Sequence, residues 1–420
     1  MDKKYIVCGK IFDGINETLE ENVNILVEGK YITAVGKNLK RPRDAEIIDL
    51  SHLTVTPGLI DAHVHFDFKD TRELSTYAFT DSDEMKTLNT VYCATKSLEG
   101  GFTTVRTMGS AFVGFGQIDA KRAIDRGMIT ASRLIVAPHA LNISGGHWDF
   151  SQHVATNPFL SELMERAYVS VGNGVDWCKT IVRKQMKYGA DFIKIMAAGG
   201  FSSPNDSPVN PQFDEEEVKA IVETTNSYGS YVAAHAYTAE AIEKLINLGV
   251  HEIEHGSLLK ESTAELMEEK GVSFVCTMTP YEDVIQNDQE KLAQKSIYFK
   301  EKLRLYGKQL IESREIIKDM IMQRKVLMGY GSDIVAVYNN YDCWIEFKCW
   351  RDNGIPALRT LVAATSDNAK IIRRPDLGSI EPGKIADIAG WSSDILEDHE
   401  ALRICDFVMK EGKIVKQNFN

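Results

Sequence analysis

Hydrophobic and polar positions fall into two kinds of pattern along this chain. Near the ends, in residues 1–56 and 375–420, apolar and polar residues alternate in short runs: YIVCGKIFDG and NVNILVEGKYITAVG, then GSIEPGKIADIAGW and ICDFVMKEGKIVKQ. Such runs, punctuated by Gly-containing turns, predict short antiparallel strands. Two β-rich ends around a different middle predict one small sheet domain assembled from both termini, which often lie close together in folded chains. In residues 57–374 short apolar runs instead alternate with amphipathic segments such as DEEEVKAIVETTNSYG and TAEAIEKLINLG. The apolar runs are LIDAHVHF, TTVRTM, RLIVAP, DFIKIM, YVAAHAY, HEIEHG, VSFVCT and VLMGYGSD. Strands alternating with helices predict parallel βα units, and eight strands is the number that closes a TIM barrel. A doubly wound open sheet meets the same periodicity. Between Glu282 and Lys325 the chain reads as a long, highly charged, mostly helical insertion.

Composition narrows the function. With 420 residues, 44% of them hydrophobic and 26% charged, the chain has room for one barrel-sized domain and a smaller one. A formal net charge of −12 argues against a nucleic-acid partner and against an anionic membrane surface. No stretch approaches the roughly 18 apolar residues of a membrane span, and MDKKYIVCGKIFDG reads as a strand rather than a signal peptide. The 7 cysteines are scattered and form no CxxC pair, which points to reduced thiols and a cytoplasmic location.

In a barrel of βα units the catalytic groups collect at the C-terminal ends of the strands. Those ends carry His63 and His65, then Lys194, His235, His255 and Asp333. Strand alternation turns His63 and His65 to one face. Any one histidine alone reads more readily as a satisfied core or loop residue. Four of them with an aspartate, at corresponding positions, form a nitrogen and oxygen donor set suited to zinc or a similar divalent ion. Lys194 lies between Ile193 and Ile195, in a strand where an unpaired ammonium is costly or loses its proton. Either it pairs with an acid or reaches solvent, or its neutral amine takes up carbon dioxide, giving a carbamate able to bridge two cations. His251 lies four residues before His255, about 13 Å nearer the barrel bottom, and reads as structural.

The loop HALNISGGHWDF brings His147 directly after a Gly145-Gly146 pair that permits close backbone approach. His147 is a candidate donor to a substrate carbonyl oxygen, and Tyr237, two residues after His235, is a second. AAGGFSSPNDSPVN, which follows Lys194 and contains Phe201, is a candidate substrate loop. For a cation holding a substrate carboxylate, the candidates are Arg106 and Arg183.

The ordered set PGLIDAHVHF, GFTTVR, AGG, AAHAYTAEAI, GVHEIEHGSLL, GSD and GSIEPGKIADI spans nearly the whole chain and resembles the amidohydrolase superfamily of metal-dependent hydrolases. KIMAAGG, SGGH, HAYTAEAI and IEHGSLL resemble more closely its Xaa-Pro dipeptidase and Xaa-Arg/Lys carboxypeptidase group, relatives of imidazolonepropionase. The resemblance implies an α/β fold, with a (β/α)8 TIM barrel over 57–374 and a β-sandwich domain from 1–56 and 375–420. It implies a carboxylated Lys194 bridging two divalent metal ions, zinc foremost, with His63, His65, His235, His255 and Asp333 as the other ligands. It also implies a homo-oligomer. Two features depart from the group: VRTMGS stands where VRDxGG is expected, and Trp148 stands where many members have a small residue.

The expected reaction is hydrolysis of the C-terminal amide bond of a dipeptide or N-acyl amino acid by a metal-activated hydroxide. Asp333 would serve as proton acceptor and donor, and His147 and Tyr237 would steady the oxyanion. Three other readings compete: a cyclic amidohydrolase or deaminase of imidazolonepropionase type, a mononuclear enzyme with Lys194 unmodified, and a metal-stabilised binding protein. The last predicts a broken ligand set, and all six positions are filled.

Overall fold

A computed structural model describes residues 2–67, 81–110, 114–167, 170–334 and 338–418. The N-terminal alternating runs form β1 (Lys3–Ile11), β2 (Glu20–Glu21), β3 (Asn24–Glu28), β4 (Tyr31–Gly36) and β5 (Glu46–Pro57). After Gly58 alone the chain enters β6 (Leu59–Val64), followed by β7 (Phe102–Ser110), β8 (Arg133–Leu141) and β9 (Ile193–Met196). Next come β10 (Val232–Thr238), β11 (Glu252–Leu258), β12 (Ser273–Val275) and β13 (Leu327–Gly329). The C-terminus adds β14 (Ile388–Trp391), β15 (Phe407–Lys410) and β16 (Lys413–Gln417).

Strands β6 to β13 pair in sequence order in one 8-stranded sheet, each neighbour parallel to the next. Sequential order excludes the doubly wound alternative, whose strand order reverses at a switch point. Across the remaining gap, Ala62 N–H donates to the Tyr330 carbonyl at 2.9 Å and Asp333 N–H to the His63 carbonyl at 2.8 Å. These two bonds tie the first strand to the chain leaving the last one, so the ring is nearly closed.

The terminal strands form a separate sheet in the order β16-β15-β14-β5-β1-β3-β4, with β2 on β1. Alternate residues of its strands, including Ile6, Cys8, Ile25, Val27, Ile48, Leu50, Phe407 and Met409, share one core. One face of one sheet supplying its own core requires the sheet to curl over itself. The pairing expected from the alternation was antiparallel throughout, but β1 and β5 run parallel, because the β3–β4 hairpin carries the chain across before it returns.

The amphipathic segments dock outside the barrel. The helix Glu215–Ser227 starts with a capping box, in which Asp214 accepts from Glu217 N–H and the Glu217 side chain accepts from Asp214 N–H. Its buried face carries Val218, Ile221 and Val222, which pack with the outward residues Ile193, Ile195, Val232 and Ala234 of β9 and β10. The charged insertion forms the helices Glu282–Ile285, Gln289–Gln294 and Ile297–Gln323. Arg133 of β8 joins barrel to terminal sheet, donating to Asp387 and Glu411 at 2.7 Å each. All seven cysteines are buried, and none is in a disulfide. Among the described residues no helix is long and apolar enough to cross a membrane.

Candidate metal centre

Alternation along β10 sends Val232, Ala234 and Ala236 outward and leaves His235 and Tyr237 facing into the barrel mouth. On β9 the same rule buries Ile193 and Ile195 against the helices and turns Lys194 inward. His255 breaks the rule. Its neighbours Glu252 and Glu254 face the interior, so strict alternation would turn His255 outward with Ile253. Instead its backbone adopts φ 71°, in the left-handed region that β-strand residues rarely enter, and its ring swings into the mouth. Thr277 (φ 39°) and Asp333 (φ 40°) share this conformation at the ends of two neighbouring strands. His251 is exposed, away from the site.

His63, His65, Lys194, His235, His255 and Asp333 all line one cavity of about 430 Å³. The Asp333 carboxylate lies 3.5 Å from His63 Nε2, 3.6 Å from His65 Nε2 and 3.5 Å from His255 Nδ1. Ring centroids of His63 and His65 are 5.4 Å apart, those of His63 and His255 4.9 Å, and those of His235 and His255 4.6 Å. One donor atom each from His63, His255 and Asp333 fits within 4.8 Å of the others. Gly331 makes room for this packing, since a Cβ there would meet His63 Cβ at 2.7 Å.

The electrostatics suit cation binding. Burial holds all four histidines well below their ordinary range, His65 at about 3, so each is a neutral imidazole with a lone pair to give. Burial also pushes Asp333 well above the usual carboxylate range, a strain that bound cations would relieve. Lys194 is 0% exposed, and its Nζ has no hydrogen-bond partner among the described residues. Burial lowers it to about 8, so a substantial fraction of its amine is neutral and nucleophilic near neutral pH. An orphaned buried amine beside a carboxylate and four neutral imidazoles fits a carbamate shared between divalent ions.

Several supporting residues are absent from the sequence reading. Glu254 Oε2 meets His63 Nδ1 at 2.6 Å, which directs Nε2 into the cavity. Glu254 Oε1 accepts from Arg106 Nη2 at 3.0 Å, while Arg106 also contacts Glu252 and donates from Nε to the Ala62 carbonyl at 2.7 Å. Arg106 is therefore no substrate cation: it is fully buried beneath the site, with both carboxylates already on its guanidinium. The signal was present in the sequence as an arginine in one buried run, TTVRTM, and two alternating acids in another, HEIEHG. Arg183 is likewise excluded, because it is exposed on the outer helix Val175–Tyr188. Thr277 Oγ1 holds His255 Nδ1 at 2.8 Å.

The two proposed donors flank the histidines. His147 stacks on His235 at 4.8 Å, and its Nδ1 meets Ser203 Oγ at 2.8 Å, with Asp206 behind. Gly200 lies under the His147 ring, where a Cβ would collide with it. Tyr237 accepts a hydrogen bond from Tyr281 at 2.6 Å, which leaves its own proton free to donate. Phe201, Tyr281 and Phe299 build an aromatic wall beside Tyr237, and Trp148 lies 5.3 Å from His65. Thr107, where an acid was expected, is fully buried.

Over 434 residues the chain is 26% identical to the ochratoxinase of Aspergillus niger, covering 98% of this chain and 86% of that one. Its fold is similar to that of a solved Xaa-Pro dipeptidase with methionine bound in the active site, with a TM-score of 0.84 and 30% identity over 99% of this chain and 100% of that one. Against the solved A. niger ochratoxinase the TM-score is 0.84 at 23% identity, covering 99% of this chain and 96% of that one. The amidohydrolase family model matches residues 54–415, so the chain belongs to the amidohydrolase family and is a hydrolase acting on C–N bonds.

Proposed function

We propose that this chain hydrolyses the C-terminal amide bond of a dipeptide or N-acyl amino acid, in the manner of the Xaa-Pro dipeptidase and Xaa-Arg/Lys carboxypeptidase group. The observation that carries the reading is the convergence of four neutral imidazoles, a buried carboxylate and an orphaned lysine amine in one cavity. The similarity to an Xaa-Pro dipeptidase along nearly the full length supports the substrate class. His63, His65, His235, His255, Asp333 and a Lys194 carbamate would hold two divalent ions, with zinc suited to this donor set. The carbamate forms as the neutral amine of Lys194 attacks carbon dioxide and releases one proton. When bound, the ions supply Lewis acidity to the amide carbonyl and lower the pKa of water.

The protein's own groups complete the chemistry. Asp333 accepts a proton from the attacking water and returns it to the leaving nitrogen. Tyr237 donates its free proton to the carbonyl oxygen as negative charge grows there, and His147, stacked on His235, faces the same atom. Trp148 and the aromatic wall keep the reacting centre dry. Reduced, buried cysteines accord with a cytoplasmic enzyme, and a homo-oligomer is the expected assembly.

The test is turnover by protein loaded with zinc in bicarbonate, on Xaa-Pro, Xaa-Arg and Xaa-hydrophobic dipeptides against lactams and cyclic ureas. Dipeptide cleavage is expected, whereas turnover of the cyclic amides alone would overturn the reading. Asp333→Asn is expected to retain metal while kcat falls by about 10³-fold. Near-normal kcat in that variant would assign the proton transfer to another group.

A further inference from the structure

Beyond Tyr237 the cavity wall comes from the charged insertion, which places one cation in it. Among the described residues lining the cavity, Lys295 is the only lysine or arginine besides Lys194, and Asp333 is the only carboxylate. Lys295 sits between two helices and is fixed there by Ser296, which caps the helix Ile297–Gln323 by accepting from Phe299 N–H at 3.1 Å. The residue is 8% exposed, and its ammonium meets the Pro280 carbonyl at 3.4 Å and Asp283 Oδ2 at 3.3 Å. Both contacts are long, and an ammonium has three N–H donors, so one remains for a ligand. The same Nζ lies 5.4 Å from the Phe299 ring centroid. From there ring contacts run without a break toward the donor cluster: Phe299 to Phe201 at 5.7 Å, Phe201 to Tyr237 at 5.3 Å, and Tyr237 to His255 at 5.4 Å.

We propose that Lys295 and the rings of Phe201, Tyr281 and Phe299 form the subsite for the residue released on hydrolysis, taking its free α-carboxylate on Lys295 and a large apolar side chain against the rings. The inference rests on the peptidase reading and names its substrate class. In such a substrate the α-carboxylate and the side chain leave the same Cα, which is bonded to the scissile nitrogen. Recognition therefore needs a cation and an apolar surface side by side, and Lys295 over Phe299 is that pair. A basic released residue fits poorly, because Asp283 is already paired with Lys295 and, among the described residues lining this wall, none offers a carboxylate to an arginine or lysine side chain. The wall thus selects among the residues that the family group handles, favouring aromatic and large aliphatic ones.

The test uses the full-length, metal-loaded enzyme. Binding of L-phenylalanine, L-phenylalaninamide and L-arginine is measured by calorimetry on the wild type, Lys295→Gln and Lys295→Arg. The wild type is expected to bind phenylalanine about tenfold or more tightly than the other two; Lys295→Gln should lose about 10- to 100-fold for phenylalanine but stay within about twofold for the amide, as loss of one charge-assisted bond implies. Lys295→Arg is expected to restore binding of phenylalanine, and unchanged amide binding shows that the variants are folded. With N-acetyl-L-phenylalanine, Lys295→Gln should raise KM more than it lowers kcat. Equal binding of phenylalanine by Lys295→Gln and the wild type, or equal binding of arginine and phenylalanine by the wild type, overturns the subsite. Phenylalanine binding that depends on Lys295, without turnover of any peptide or acyl amino acid, leaves the subsite standing and overturns the peptidase reading instead.

Discussion

At His255 the backbone holds a conformation that costs of order 1–3 kcal/mol in a non-glycine residue, and Thr277 and Asp333 repeat it at adjoining strand ends. All three line or support the cavity, so the strain is spent on aiming donors rather than on the fold. This limits what the sequence reveals at the residue scale. The identity of the donor cluster is legible, since histidines, a lysine and an aspartate at strand ends are visible as such. The reason His255 faces inward is not, because a period of two assigns it to the outer face with His251 and Ile253. Nor are all the second partners legible: the acids of HEIEHG leave a trace, but Thr277 and Tyr281 look like ordinary strand and loop residues until the ring closes. Because Glu254 fixes the tautomer of His63, Glu254→Gln is expected to weaken metal affinity by about 10- to 100-fold. Competition for zinc with a chelator measures this, and unchanged affinity would remove Glu254 from the site. Gly200→Ala displaces the His147 ring and should lower kcat by about 10²-fold while leaving metal content intact. Equal kcat in that variant would show that His147 does not touch the reacting oxygen.

At the scale of elements, the insertion that interrupts the barrel before β13 secures the loop over the site. Lys302, on its long helix, donates to the carbonyls of Gly200 and Ser203 at 2.6 and 2.7 Å and to Asp206 at 3.0 Å. Asp206 also contacts Ser203, which holds His147. The helical character of this insertion is readable from its charge pattern, but its docking is not, since a lone lysine among many charges gives no sign of being buried. Burial alone would raise Asp206, yet the bonds from His147 and Ser203 and the Lys302 charge outweigh it and hold the carboxyl below the usual range. The sign follows from linkage: a depressed carboxylate stabilises the fold above its unfolded pKa of about 3.9 and loses that contribution as pH falls below it. Asp206→Asn is therefore expected to cost about 3 kcal/mol near neutral pH, where Lys302 loses its buried counter-charge. Urea unfolding at several pH values should show the two proteins converging below about pH 4. A difference that persists unchanged into acid would contradict the clamp.

Across the whole molecule, the order of the barrel strands and the shared terminal sheet follow from patterns that extend over many residues, which is why both are legible. Eight apolar runs separated by helical segments have few ways to bury their faces, and a parallel ring is the one in which neighbours in sequence remain neighbours in space. The tie between sheet and barrel is less visible, because it depends on Arg133 meeting Asp387 and Glu411 far along the chain. Arg133→Met is expected to destabilise the protein by about 3 kcal/mol, as removal of one partner leaves Asp387 buried, without altering zinc affinity. Equal stability would show that the contact does not join the two parts.

On the proposed function, the six residues at the mouth, with Lys194 as its carbamate, would hold two ions, and this centre would perform the hydrolysis. This reading is tested most directly by elemental analysis of metal per chain after loading with zinc and bicarbonate, with dipeptide turnover followed in the same sample. The expected result is two ions per chain, with activity lost as they are chelated and regained as they return. Full turnover with one ion per chain, or with none, would contradict it.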